Sequence, residues 1–317
     1  MLPNFMCIGA QKSATTTILR ILEAHPQVFM SEPMETRFFL DTTQLAAGIQ
    51  KYEIEYFSGW SGQPAVGEKC PGYLYWPGVA ERLYRDLGPD LKLIVTLRSP
   101  ALRAFSQYRH NLARLQESRS FKEALETEAN EIQQGTIIPR YGYIARGYYA
   151  QQLQRYFNLF DLKQLLIAKF ERDIVRDLNG FTKKLYDFIG VDSFNPSPLK
   201  RDFSELEYLS FGLSLSNANS KENFVEINLR MPNSKSIPNW LKQLKRGKLS
   251  TNDPLVSRIY NPSAYLIQFA RDFNSNKPKT HTLSREEELA INNCYFKEDI
   301  KLLQDMVPFE VNSWLAD

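Results

Sequence analysis

Residues 5–26 restrict the fold of this 317-residue chain more than any other stretch. An apolar run of strand length, Phe5-Met6-Cys7-Ile8, ends at Gly9. A short polar loop follows, Ala10-Gln11-Lys12-Ser13-Ala14-Thr15-Thr16-Thr17. Beyond Thr16, Ile18, Leu19, Ile21 and Leu22 recur at helical spacing up to the stop at His25-Pro26. Strand, tight loop and helix in succession aim several backbone N–H groups at one point, with the positive end of the helix dipole behind them. Such a point binds a phosphate. Lys12 adds a full charge, and Ser13, Thr15 and Thr16 add hydroxyl donors.

The rest of the chain alternates in the same way. A turn and a short strand are expected over His25–Met30, a short strand within Ala65–Tyr73 closed by Pro71 and Gly72, a buried one at Lys92–Leu97 and another at Gln164–Ala168. Helices are expected at 44–60, 77–87, 101–115, 121–134, 147–160 and 178–189. Strands alternating with helices predict an α/β fold with a parallel sheet covered on both faces. Ligands in such folds sit beyond the carboxyl ends of the strands, where Gly9, Glu68-Lys69 and Arg98 all fall. From about 195 to 280 the periodicity fades into Asn, Ser and Pro, which reads as a loop-rich insertion with short helices near 239–246 and 262–272, a lid on a single domain spanning 1–317. Ser284 with Glu287 spells a capping box, opening a helix that runs toward Met306.

Composition narrows the partners. The 39 basic and 36 acidic residues leave a net charge of +3, too balanced to imply nucleic-acid binding. Three cysteines (Cys7, Cys70, Cys294) lack metal-ligand spacing and leave an odd thiol, which fits a reducing compartment. With no apolar run of about 18 residues and no leader pattern at its start, the expectation is a cytoplasmic protein away from membranes.

A second constellation is Arg98-Ser99-Pro100 after the buried strand, with Ser106 eight positions beyond the arginine. A fixed guanidinium and a hydroxyl can grip a phosphate together. A third is Glu35-Thr36-Arg37-Phe38-Phe39, where a partly buried carboxylate can accept a proton, with Glu32 a rival for that role. A fourth is Gly67-Glu68-Lys69-Cys70-Pro71-Gly72-Tyr73. The first loop is not a nucleoside-triphosphate loop of the form G-x-x-x-x-G-K-[ST], because Gly9 precedes Lys12 by three and no glycine stands just before the lysine.

Taken together, these stretches resemble the sulfotransferases that use 3′-phosphoadenosine 5′-phosphosulfate. The spelling from Gly9 to Thr17 is similar to their 5′-phosphosulfate loop, and Arg98 with Ser106 to their 3′-phosphate segment. Glu35 with Phe38 and Phe39 resembles the E-x-x-F-F element of heparan-type members, whose glutamate is the base toward the acceptor. Glu68-Lys69 and Tyr73 resemble an E-K-S-x-x-Y segment whose lysine faces the transferring group, with Cys70 replacing the serine. Arg146-Gly147-Tyr148-Tyr149-Ala150 and the ending from Tyr295 through Trp314-Leu315 extend the likeness. Two departures stand out. The glycine-rich basic loop of relatives has only Lys277 and Lys279 as stand-ins, and Ala14 occupies a position where relatives often carry glycine, tolerable if its φ is negative.

The resemblance implies a P-loop-like three-layer fold, a central parallel sheet flanked by helices, with 195–280 a lid or acceptor-binding insertion. It implies a donor nucleotide held by Gln11, Lys12, Ser13, Ala14, Thr15, Thr16, Thr17, Arg98 and Ser106. Lys12, Lys69 and Glu35 would be catalytic, with Glu32 and His281 as other candidate bases. No metal is expected. The acceptor would be a hydroxyl or amine of a small molecule, a natural product or a glycan. A kinase using ATP and magnesium needs a glycine before the lysine and an acidic residue ending a strand, whereas the strand at 92–97 leads into Arg98. A non-catalytic nucleotide-binding protein of the same fold would tolerate loss of Glu35 and Lys69.

Overall fold

The computed structural model describes residues 1–114, 116–136, 139, 141–195 and 283–315, with two short strands at 224–225 and 249–250. The chain divides into two units, one of residues 1–107, 128–199 and 283–317 and the other of 108–127 and 200–282. In the second, β6 (Phe224–Val225) pairs antiparallel with β7 (Leu249–Ser250). The lid expected at 195–280, its two helices, Lys277, Lys279 and His281 otherwise lie outside the described residues.

The first unit holds the sheet. Its strands are β1 (Phe5–Gly9), β2 (Val28–Met30), β3 (Ala65–Lys69), β4 (Lys92–Leu97) and β5 (Leu165–Lys169), in the order β2-β3-β1-β4-β5. Every pairing is parallel. All five residues of β1 are buried, as an apolar run enclosed on both faces of a parallel sheet must be. The helices are α1 (Thr15–Glu23), α2 (Thr42–Ala46), α3 (Ile49–Phe57), α4 (Val79–Leu87), α5 (Pro100–Ala113), α6 (Phe121–Gln133), α7 (Tyr149–Phe157), α8 (Leu178–Ile189), α9 (Arg285–Tyr295) and α10 (Lys297–Gln304). On one face Phe5 and Cys7 pack against Ile18, Leu19 and Leu22 of α1 and Phe181, Leu185 and Tyr186 of α8.

Three departures from the expected elements have local causes. The helix expected over 44–60 is two, because Gly48 stands at φ 85 between α2 and α3. A π-helical turn, Phe170–Arg176, follows β5 and carries no periodicity to read. The capping box forms, with Glu287 N–H donating to Ser284 Oγ at 3.1 Å and Ser284 N–H to Glu287 Oε2 at 2.8 Å. The helix it opens ends at Tyr295, and α10 restarts it after Phe296.

The strand order positions the site. The connection leaving β1 leads to β2 at one edge, while that leaving β4 leads to β5 at the other. Connections diverging from neighbouring strands open a crevice at their carboxyl ends. Gly9 and Arg98 border that crevice.

Candidate active site

The first loop is held by its strand neighbours. Ala10 N–H donates to Thr96 O at 2.8 Å, and Ser13 N–H to Ala10 O at 3.2 Å. Leu74 N–H donates to Ile8 O at 2.9 Å, drawing the chain after β3 across β1. A Cβ at Gly9 would lie 2.7 Å from Leu74 Cβ, so only glycine admits that crossing. Lys12 and Ala14 both take left-handed conformations, at φ 68 and φ 66. The condition placed on Ala14 is therefore not met: it adopts the glycine-like backbone while keeping its methyl, a strain of about 1 kcal/mol. Ala14 is also the residue preceding α1, where it supplies no side-chain cap to the first-turn amides.

Arg98 reaches this loop from the next strand. Its Nη1 lies 3.4 Å from the Lys12 carbonyl oxygen, and its guanidinium stacks 4.7 Å from the Phe170 ring centroid. Burial pulls the Arg98 guanidinium down, opposed by the Glu171 carboxylate. Arg98 Nε is buried without a partner among the described residues. Tyr149 Oη donates to Arg98 O at 3.0 Å and adjoins the buried Ser13 hydroxyl; burial pushes its phenol up to about 12. An uncapped helix end, an unpaired arginine nitrogen and a buried serine hydroxyl together fit an anionic ligand. Gln11 Oε1 is likewise buried without a partner, whereas Thr15 is buried, Thr16 exposed and Thr17 half-buried. Ser106 stands half-buried on the second turn of α5.

On the other flank of β1, Lys69 is the register partner of Cys7 and is 5% exposed. Its ammonium pairs with the Glu35 carboxylate, whose side chain is 44% exposed. The structure thus brings together two residues 34 positions apart that were singled out separately. Glu32 is exposed, and its backbone N–H is taken by Tyr56 O at 3.0 Å. His25 is occupied by Asp192 O at 2.9 Å and by the Gln27 amide.

Glu68 proves to be the anchor of this flank. Fully buried, it accepts from Tyr52 Oη at 2.6 Å, Thr36 Oγ1 at 2.8 Å, Tyr73 Oη at 2.9 Å and Thr36 N at 3.2 Å. Burial raises its carboxyl against the pull of these four donors. Phe38 and Phe39 are buried around the same tyrosines. Thr36 and the two phenylalanines so tether the segment that Glu35 is presented beside Lys69. Burial raises the Cys70 thiol, so the residue standing in place of serine is an inert core group.

Sequence reasoning did not find the residues that shape the Arg98 turn. Asn292 of α9 is fully buried, accepting from Ala101 N–H at 2.9 Å and donating to Ser99 Oγ at 3.0 Å and Trp314 O at 2.8 Å. Glu171 accepts from Ser99 N–H at 3.0 Å. Both contacts join residues far apart in sequence, which no local pattern announces. Among the described residues no helix is long and apolar enough to cross a membrane.

Comparison with known proteins bears directly on this arrangement. The pattern of the sulfotransferase domain matches residues 2–211. The membrane-associated sulfotransferase kil1 of Dictyostelium discoideum is 25% identical over 63% of this chain and 58% of its own length. Heparan sulfate glucosamine 3-O-sulfotransferase 5 of Mus musculus is 27% identical over 56% of this chain and 50% of its own. The chain spans about half the length of the curated relatives it matches. The crystal structure of a sulfotransferase from Alicyclobacillus acidocaldarius superposes with a TM-score of 0.55 at 32% identity, covering 66% of this chain and 90% of that one. Two-thirds of the chain carrying the domain pattern, on the parallel P-loop-like sheet of a solved member, makes this protein a member of the sulfotransferase family.

Proposed function

We infer that the chain transfers the sulfuryl group of 3′-phosphoadenosine 5′-phosphosulfate to a hydroxyl or amine of a small-molecule or glycan acceptor. The observation that supports this reading is the 3.4 Å approach of Arg98 Nη1 to the Lys12 carbonyl, which joins the turn after β4 to the loop after β1. The bound donor supplies the sulfuryl group and departs as adenosine 3′,5′-bisphosphate. Lys12, the loop amides and the end of α1 bind the 5′ side and stabilise negative charge there. Gln11, Ser13, Ala14, Thr15, Thr16 and Thr17 line that cradle, while Arg98 and Ser106 hold the 3′-phosphate.

Glu35 takes the acceptor's proton as its oxygen or nitrogen bonds to sulfur, and Lys69 holds the carboxylate in place and stabilises the sulfuryl oxygens. These fixed positive groups supply the charge that magnesium supplies in kinases, and the arginine following β4 is not a metal ligand, which disfavours a kinase.

Calorimetry of the full chain with adenosine 3′,5′-bisphosphate and with ATP tests the reading. The bisphosphate binds at least tenfold tighter, Lys12→Ala and Arg98→Ala each weaken it at least tenfold, and Glu35→Gln binds it normally without turnover. A clear preference for ATP overturns the assignment.

A further inference from the structure

The turn that carries Arg98 to the crevice is fixed through its backbone, and one of its anchors comes from the far end of the chain. Among the described residues the Arg98 guanidinium donates one long hydrogen bond, Nη1 to Lys12 O at 3.4 Å, and stacks on the Phe170 ring, while Nε finds no partner. A side chain held this lightly points where its backbone aims it.

Three elements grip that backbone. At the peptide joining Arg98 to Ser99, the carbonyl accepts from Tyr149 Oη of α7 at 3.0 Å and the N–H donates to Glu171 of the π-helical turn at 3.0 Å. Asn292 of α9 takes the next two groups: its Nδ2 donates to Ser99 Oγ at 3.0 Å and its Oδ1 accepts from Ala101 N–H at 2.9 Å. Pro100, the first residue of α5, has no N–H, so Ala101 carries the first donor of that helix, and Asn292 caps it from 191 positions away. The other Nδ2 hydrogen goes to Trp314 O at 2.8 Å. A flipped amide would set Nδ2 against the Ala101 N–H, so the orientation is unique. Trp314 is itself wedged, its ring 6.5 Å from that of Tyr149 and 5.3 Å from Lys169 Nζ, which also donates to Ser313 Oγ at 3.2 Å.

Asn292 differs from the other two anchors. Tyr149 adjoins Ser13 and Glu171 acts on Arg98 directly, so both border the crevice. The Asn292 side chain is fully buried and bonds only to the turn and to Trp314, so it reaches no ligand. It also lies beyond residues 2–211, the span of the sulfotransferase-domain pattern. Whatever Asn292 does for the donor, it does through Ser99 and Ala101.

We propose that Asn292 is a positioning residue of the donor site: by clamping Ser99 and Ala101 to α9, it sets where Arg98 presents its guanidinium to the 3′-phosphate. The part given to Arg98 rests on the sulfotransfer reading, whereas the clamp itself does not. Loosening the clamp lets the Arg98 turn shift, and the loss falls on the 3′-phosphate, because the 5′ cradle is built from β1 and α1.

Calorimetry of the full chain with adenosine 3′,5′-bisphosphate and with adenosine 5′-monophosphate tests it, since the ratio of the two affinities reads the 3′-phosphate by itself. The wild type prefers the bisphosphate at least about tenfold. Asn292→Ala narrows that preference about fivefold and leaves the monophosphate affinity within about twofold. In an Arg98→Ala background the preference is already lost, and adding Asn292→Ala changes it no further. Ser99→Ala, which deletes one contact of the clamp, narrows the preference about twofold and decides the matter if Asn292→Ala does not fold. Equal weakening of both nucleotides is what a merely structural role gives, and it overturns the proposal. So does an Asn292 effect that persists without Arg98. A wild type that binds the two nucleotides alike refutes the donor reading and the proposal together, whereas a preference kept intact by the variants refutes the positioning role alone.

Discussion

Removing the Glu68 carboxylate tests whether a buried acceptor holds the flank that carries Glu35 and Lys69. In Glu68→Ala four donors lose their partner: the hydroxyls of Tyr52, Tyr73 and Thr36 and the Thr36 amide. Each hydrogen bond to such a group is worth about 1–1.5 kcal/mol net, so the gross loss is about 4–6 kcal/mol. Relief of the burial that raises the Glu68 carboxyl offsets part of this, leaving about 3–4 kcal/mol. Glu68→Gln keeps one acceptor oxygen and turns a donor toward Tyr52, costing about 1–2 kcal/mol. Urea unfolding with fitted slopes measures both. A double-mutant cycle with Tyr52→Phe isolates the 2.6 Å contact and shows a coupling of about 1 kcal/mol or more. Because Thr36 adjoins Glu35, turnover falls further than donor affinity. A cost below about 1 kcal/mol for Glu68→Ala, or strict additivity with Tyr52→Phe, would refute the reasoning.

Two further outcomes are expected. Asp299 caps α7, accepting from Ala150 N–H at 3.0 Å and Gln151 N–H at 3.3 Å, yet burial raises its carboxyl from 3.8 to about 6. Its folded value exceeds the unfolded one, so its contribution is complete below pH 3.8 and is lost as pH rises through about 6. The difference in stability between wild type and Asp299→Asn, followed by urea unfolding from pH 3.5 to 7, therefore falls with pH by about 2–3 kcal/mol; a flat difference contradicts this. Ala14→Gly relieves a methyl held at φ 66, and after the added unfolded-state entropy of glycine the chain gains about 0.5 kcal/mol, read as a raised urea midpoint. A lowered midpoint would show the loop relaxed in solution.

Sequence alone determined the elements whose cause is local. The apolar runs of β1 and β4 needed no partner to be read, and the Ser284–Glu287 box announced α9 because a capping box is satisfied within four residues. Lys12, Arg98, Lys69 and Glu35 stand out as candidates in the sequence because each lies in or beside a short segment with a recognisable spelling. The break at Gly48 escaped because an isolated glycine inside a helical pattern is usually tolerated, and only the observed φ 85 ends α2.

What tertiary structure decided is pairing across the sheet. Two carboxylates, Glu68 and Glu35, look alike in a sequence; burial makes the first an anchor for three side chains and leaves the second half-exposed beside Lys69. Asn292 reaches Ser99, and Tyr149 reaches Arg98, over separations that local rules do not span. Likewise, nothing in the spelling of Arg103 or Arg146 reveals that both are buried with N–H groups that find no acceptor among the described residues. Local hydrogen bonding and periodicity are written along the chain, whereas desolvation depends on which distant surfaces close over a group, and that is known only once the strands have found their order.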